Sequence, residues 1–503
     1  CGIWFGVVCC GAWVVDGRVR GVVVAGPCGY GLIEAGAVVD ATGNADVAAA
    51  AGAPTTGIDV DHVAVQGTGL ASIRPDKVYH NTDHSFSDDT DPVDATGFLV
   101  SAKRKFHDGF DAGQLVDSRE RRQIVGDIVL EPADFLYQRT FPDSICLSSS
   151  NFDTHGFTIH PAFLVKPPNK ERMWVYVPYR CLLPQGLDGV LVTGLGVSAH
   201  RDAIPVIRMQ PDVQNQGYAA GLAAAMAARA GVGVRAIDVK DLQRHLVEID
   251  NLPENVLTDE DNFPVDDATL RAAVDEGIDA YEGLALVFAE ADRAKPLLRE
   301  AYDRAEEGEL KLRYAQVLGL MGDAHGAATL RQALADADWD EGWNYRGMGQ
   351  FGMSMSPVDA LLVALGRCDD ERAWPVVLAK VESLSDDPDL SHCRAVAEAC
   401  EALHARHPSD AAAPSLVEVL QRPGMAGHAQ RNLREVQAAL TDDPNENAVR
   451  NRALRELHLA RAALRVGDRT GASETALQQY ADDLRGHFAR HARAVLRQTP
   501  VAV

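Results

Sequence analysis

The sequence predicts an α/β half followed by an all-α half, and three observations carry that prediction. Up to about residue 240, short β-branched runs bounded by turn residues recur, at residues 20–25, 37–40, 173–177 and 189–193. From about residue 265 that signal fades, and Ala, Leu, Glu and Arg return at helical spacing, broken by short loops. Between the halves, residues 251–267 are acidic and hold Pro253 and Pro264, the composition of a linker.

Composition bounds what such a chain can do. Its 503 residues carry 48 Lys+Arg against 72 Asp+Glu, a formal charge of −24, and 46% are hydrophobic. That suits a soluble globular chain of about two to four domains, each able to bury its own core. The negative charge repels phosphate backbones and anionic lipid, and no basic patch offsets it, so neither nucleic acid nor a membrane surface is expected as a partner. No run of about 20 uncharged apolar residues occurs, so no membrane-spanning helix is expected. The nine cysteines form neither a CxxC pair nor a Cys/His cluster of zinc spacing. Their odd number and irregular spacing fit reduced thiols in a cytoplasmic protein, and no metal is implied.

Taken in order, Ala12-Trp13-Val14-Val15, then Asp16-Gly17, then residues 18–24 read as a hairpin with a two-residue turn. The apolar stretch before it has no basic leader and no initiating Met, so the chain is read as starting inside a domain, truncated at its N-terminus. In residues 36–48 a buried strand runs through Asp40-Ala41-Thr42-Gly43 into Ala-rich helical sequence. A turn of that kind brings backbone amides close to a phosphate or dinucleotide edge. Gly67-Thr68-Gly69 is a decoy and reads as a turn, because Ser72 fills the third position of the motif and Pro75 stops any helix after it. The acidic loop 83–94 lacks the Gly and terminal Glu of an EF-hand and reads as solvated. Arg119, Arg121 and Arg122 either pair with Asp117, Glu120 and Asp127 on exposed helix faces, or reach a site to bind a carboxylate bidentately.

Residues 189–199 satisfy GxGxxA directly after an apolar strand, yet Pro205 and Pro211 forbid the long helix that a dinucleotide fingerprint would open. A helix instead starts near Pro211 and runs through Gln216, Gly217 and Ala220 to about Ala230. In the second half, residues 318–323, 365–370 and 403–408 resemble one another at offsets near those of two-helix solenoid units, which suggests degenerate HEAT-like repeats; an ordinary helical bundle is the alternative. Residues 342–357 are aromatic and Met-rich without helical spacing, and read as an insertion or a partner-binding loop. Neither a GxSxG elbow nor an HExxH helix occurs, so hydrolase chemistry has no support.

In order and spacing these stretches resemble FAD-dependent oxidoreductases of the succinate dehydrogenase and fumarate reductase flavoprotein type. The resemblance rests on residues 38–46, 119–127, 184–194, 208–210, 217–221 and 234–239, and covers roughly residues 12–254. It implies a Rossmann-like FAD-binding domain, incomplete here, in residues 1–56 and 180–250, with an α+β substrate-capping region in 57–179. A linker, 251–267, then leads to a helical HEAT-like repeat domain, 268–503. It further implies hydride transfer between flavin and a small organic, carboxylate-bearing substrate. Ala41, Thr42 and Gly43 would lie beside the adenosine or pyrophosphate of FAD, and Gly194 and Gly196 beside the ribityl. Gln216, Gly217 and Ala220 would present a helix N-terminus to the ring. His200, Arg208 and Arg122 are the candidates to hold or protonate substrate. The family's N-terminal GxGxxG loop is missing: Gly26-Pro27-Cys28-Gly29-Tyr30-Gly31 has the wrong spacing. The competing reading is a non-enzymatic scaffold whose repeats bind a protein partner and whose flavoprotein half is vestigial.

Overall fold

The computed structural model describes residues 2–57, 61–63, 68–70, 81–85, 92–111, 120, 122–154, 158–168, 172–342, 355–440 and 447–498. Arg119, Arg121, Gly67, residues 86–91 of the acidic loop 83–94 and most of the aromatic segment 342–357 lie outside these residues.

The chain opens with strands β1 (Val8–Val15), β2 (Arg18–Gly26) and β3 (Gly29–Glu34) in one antiparallel sheet. Val15 pairs with Arg18 across Asp16 and Gly17, whose φ angles of 49° and 71° are those a two-residue hairpin turn demands. The mis-spaced glycines 26–31 therefore serve the β2–β3 hairpin, with Gly29 at φ 107°, and do not open a helix. Next come β4 (Val38–Asp40), α1 (Asp46–Ala50) and β5 (Thr55–Thr56), then β6 (Thr68–Leu70), β7 (Asn81–Ser85) and α2 (Pro92–Lys105). The chain continues through β8 (Gln123–Ile124), α3 (Pro132–Tyr137), β9 (Ser144–Ser150), α4 (Ala162–Val165), β10 (Met173–Pro178) and β11 (Val190–Val192). Helices α5 (Ile204–Ile207), α6 (Gln210–Ala230) and α7 (Val239–Glu248) follow.

These elements divide between two compact units. The first holds residues 1–57, 120–153 and 170–267, and the second holds 58–119, 154–169 and 268–503. The stretch 57–179, expected as one capping region, is thus split between them. In the first unit β4 and β11 pair in parallel, Val38 with Val190 and Asp40 with Val192, and β9 pairs antiparallel with β10. Val19, Ala45, Ala48, Ile124, Leu187, Val190 and Val192 close a core around the parallel pair, and α6 packs on β4, β9 and β11. Residues 251–267, expected as a linker, fold into this unit. Leu252 and Val256 are buried there, and Asp261 takes two bonds from the Arg139 guanidinium, at 2.8 and 2.9 Å.

The second unit is dominated by helices α8 (Asp267–Asp275), α9 (Tyr281–Ala289), α10 (Ala291–Arg304), α11 (Glu309–Leu320), α12 (Ala327–Asp336) and α13 (Pro357–Arg367). After these come α14 (Trp374–Glu382), α15 (Leu390–Arg406), α16 (Ala412–Leu420), α17 (Leu433–Ala439), α18 (Asn447–Arg465), α19 (Ala472–Ala481) and α20 (Gly486–Gln498). Alternate helices stack, α11 on α13 and α13 on α15, with α15 then on α18, while α12 packs on α14 and α14 on α16. The three similar segments of sequence fall at the turns α11–α12, α13–α14 and α15–α16. Ion pairs join neighbouring layers: Arg299 reaches Asp323 at 2.6 Å, Arg331 pairs with Asp370, and Glu401 receives both Arg461 and Arg465, at 2.7 and 2.8 Å.

Candidate functional site

The chemistry-bearing stretches of the first unit gather at the carboxyl ends of β4 and β11, where a parallel α/β sheet opens its crevice. Asp40 ends β4 with its carboxylate buried. One oxygen accepts the Thr42 N–H (3.0 Å) and hydroxyl (2.7 Å), and the other accepts the Ala48 N–H (2.9 Å). Thr42 Oγ1 in turn accepts the Asp46 N–H at 2.9 Å, so one acid and one hydroxyl fold the whole turn into α1. Gly43 and Ala45 stand at φ 82° and 53°, the left-handed values that such a turn requires. Arg122 clamps the same turn, donating from Nε to Asn44 O (2.9 Å) and from Nη2 to Asp46 Oδ1 (2.5 Å).

The second turn begins where the Thr193 N–H donates to Asp40 O at 3.0 Å, tying the two strand ends together. Gly194 then takes φ 71° and opens a short 3-10 turn through Gly196. A Cβ on Gly196 would lie 2.9 Å from Ala45 N and 3.1 Å from Ala45 Cβ, so this glycine lets the two turns touch. Beyond it the chain is laid along residues 126–131: Gly126 N–H donates to Ser198 Oγ (3.0 Å), Leu130 N–H to Ser198 O (3.1 Å) and His200 N–H to Leu130 O (2.8 Å). His200 Nδ1 accepts the Asp202 N–H at 3.0 Å, which leaves Nε2 as the nitrogen able to carry the proton in the neutral ring. Beside it, burial raises the Glu131 carboxyl above its usual value, against the opposing charge of His200.

Helix α6 starts at Gln210, with Met209 extended before it and Pro211 in the first turn. Gln216, Gly217 and Ala220 therefore lie two to three turns inside the helix. The expectation that they present its N-terminus to a ring is corrected: that place belongs to residues 210–213. Gln216 is fully buried and donates from Nε2 to Ile207 O at 3.1 Å, Ala220 is core, and a Cβ on Gly217 would meet nothing within 4 Å. Arg208, in the turn before α6, donates from Nη2 to Asp153 O at 2.5 Å.

The structure thus brings Ala41, Thr42, Gly43, Gly194, Gly196 and Arg122 to the two touching turns, places His200 one segment beyond, and sets Arg208 and Gln216 at the start of α6. Two features were missed in the sequence. Glu120 forms a buried ion pair with Arg201, one of whose partners stood in the basic cluster while the other carried no signal at all. Asp212, on the first turn of α6, is 7% exposed, and burial pushes its carboxyl up to about 6, against a hydrogen bond from the Ser149 N–H that lowers it. At sequence level an acid there reads only as a partner for the helix dipole.

Residues 100–246 match the model of a family described as FAD dependent oxidoreductase. No curated protein and no solved structure is matched. The matched stretch takes in β11, the Gly194 turn and α6, and the cofactor of that family is FAD. The residues present fit the group on structural grounds. Two left-handed glycines, Gly43 and Gly194, expose backbone beside a helix N-terminus, and a Cβ on Gly196 would fill the contact between their turns. No described helix is long and apolar enough to cross a membrane, and no described His, Cys, Asp and Glu cluster could hold a metal.

Proposed function

We propose that the chain is a flavoprotein oxidoreductase of the succinate dehydrogenase and fumarate reductase type, acting on a small organic substrate that bears a carboxylate. The observation that carries this reading is the meeting of the Thr42-Gly43 turn with the Gly194 turn, the latter inside the matched stretch, at the ends of a parallel strand pair. Ala41, Thr42, Gly43 and Gly194 would hold FAD through their backbone, with Gly196 keeping the two turns in contact. The first turn of α6 directs its dipole toward negative charge. When bound, the flavin supplies two-electron hydride chemistry. His200 is oriented by the Asp202 N–H so that Nε2 donates or receives a proton, and Arg208, fixed by Asp153 O, binds the substrate carboxylate. Arg122 is placed better to brace the 44–46 turn than to reach substrate. In the second unit the helix order supports HEAT-like repeats, whose stacked faces would receive a protein partner.

The test is an absorption spectrum of the purified chain between 300 and 550 nm, after incubation with FAD and desalting. Flavin bands are expected, and Asp40→Ala should lose most of them, because three donors of the 42–48 turn are released at about 1 kcal/mol or more each. A colourless wild-type chain that is folded by circular dichroism sinks the flavin reading and turns attention to the helical unit.

A further inference from the structure

Along α6 the buried stripe reads Asp212, Gln216, Ala219, Ala220, Ala223 and Ala227. All six positions are buried at helical spacing, yet the first two are polar. Asp212 Oδ2 and Gln216 Oε1 are both sealed from solvent, and neither has a hydrogen-bond partner among the described residues. The other amide end of Gln216 is committed to Ile207 O, so the side chain cannot be turned over to supply a donor. Two buried acceptors one turn apart on one face, with no donor between them, are costly unless a hydrogen comes with one of them.

The geometry points to that hydrogen: Asp212 holds a proton on Oδ2 and shares it with Gln216 Oε1, making the first turns of α6 a proton-exchange station. Uptake forms one O–H bond with a proton from water and moves no electrons. The surroundings agree. From β9 the Cys146 thiol, itself pushed up to about 12 by burial, faces the Asp212 backbone at 3.7 Å and stays neutral. From β4, Asp40 is fully engaged by Thr42 and Ala48. From the α5–α6 turn, Arg208 is directed to Asp153 O, and from α7, His245 bonds Tyr218 on the exposed side of α6. Burial without a compensating cation pushes Asp212 up to about 6, so its proton is gained and lost close to neutral pH. Its use rests on the flavin reading: reduction that places negative charge at this helix end would draw a proton onto Asp212.

The experiment is a carbon-13 NMR titration of the full chain labelled at aspartate, from pH 4 to 8, with Asp212→Asn assigning the resonance. The expected result is a carboxyl resonance with its midpoint near 6 that vanishes in Asp212→Asn, and a lower midpoint in Gln216→Met, which removes the acceptor for the neutral acid. A midpoint in the ordinary carboxylate range overturns the station, and an unchanged or raised midpoint in Gln216→Met overturns the sharing. Proton uptake at pH 7 on dithionite reduction, followed with an indicator dye, then separates the two readings. Greater uptake in wild type than in Asp212→Asn supports the coupling. Equal uptake with flavin bound overturns it, and a titrating Asp212 in a chain that takes up no flavin leaves the proton site standing while the flavin reading falls.

Discussion

Asp40 in the first unit and Asp359 in the second are both buried carboxylates, and they are used in opposite ways. The Asp40 carboxylate bonds within eight residues of itself, to Thr42 and Ala48, and so bends backbone at the end of a strand. Asp359 caps its own helix at Ser356 (2.9 Å) and also reaches His392 on α15 at 2.7 Å, so it fixes one helix against the next. At the candidate site Asp40 and Thr42 shape turns that leave backbone open to a ligand, whereas Asp359, Asp370 and Glu401 join neighbouring helical layers. A site is expected where polar groups serve turns, and rigidity where they cross between elements.

Glycines break the comparison most sharply. In α13 a Cβ on Gly366 would lie 2.3 Å from Ala399 Cα and 2.6 Å from its Cβ, where α13 crosses α15. The obstacle is backbone, so Gly366→Ala should cost about 3 kcal/mol or more, at the top of the range for overpacking. In α6, Gly217→Ala meets nothing within 4 Å and should gain up to about 1 kcal/mol in helix propensity. Thermal melts with hydrogen exchange would read both. Protection should fall in α13 and α15 for the first variant and stay intact in α6 for the second. A harmless Gly366→Ala would mean that the helical layers are not close-packed.

The next effect is a pH dependence confined to the helical unit. Burial presses His392 toward its neutral form, but the hydrogen bond and charge of Asp359, with Asp389 and Asp340 adding, outweigh it and raise its pKa above 6.5. The folded state therefore binds this proton more tightly than the unfolded chain. The linked stability is full below pH 6.5 and is lost as pH rises through the raised value. Asp359→Asn should remove that slope and cost about 1.5–3 kcal/mol at pH 6, the scale of a hydrogen bond to a charged group, and less at pH 8. Denaturant unfolding at the two pH values measures it, and equal losses at both would show that His392 is not charged in the folded protein.

Local patterns made the backbone of both units legible, while long-range polar pairing stayed hidden. Asp16-Gly17 between two β-branched runs announced the β1–β2 hairpin, because few turns accept any other chemistry. Pro211 announced the start of α6, since a proline fits the first helical turn and few places later. The N-terminal site of the same helix was not legible: Gln216 and Gly217 lie nearly two turns past Gln210, where the helix starts. Arg201 and Glu120 are 81 positions apart in sequence. Nothing in period or spacing joins such a pair until residues 126–131 and 198–200 are laid side by side, and the burial of Asp212 depends in the same way on β9.

The smallest predicted effect settles what Arg122 does. Its contact with Asp46 is between half-exposed side chains, 42% and 47% accessible, so the pair should contribute no more than about 1 kcal/mol to stability. Its second bond, to Asn44 O, is what gives it leverage, because one planar guanidinium then holds two points of a turn that would border FAD. Arg122→Lys keeps the charge but cannot reproduce that two-point hold. If Arg122 braces the turn, both Arg122→Ala and Arg122→Lys should weaken FAD binding by a similar few-fold factor and leave KM for substrate unchanged. If it binds a substrate carboxylate, Arg122→Lys should retain part of the substrate affinity that Arg122→Ala loses, with FAD binding equal in all three proteins. Flavin fluorescence titration beside steady-state KM separates the two, and the bracing role fails if only KM moves.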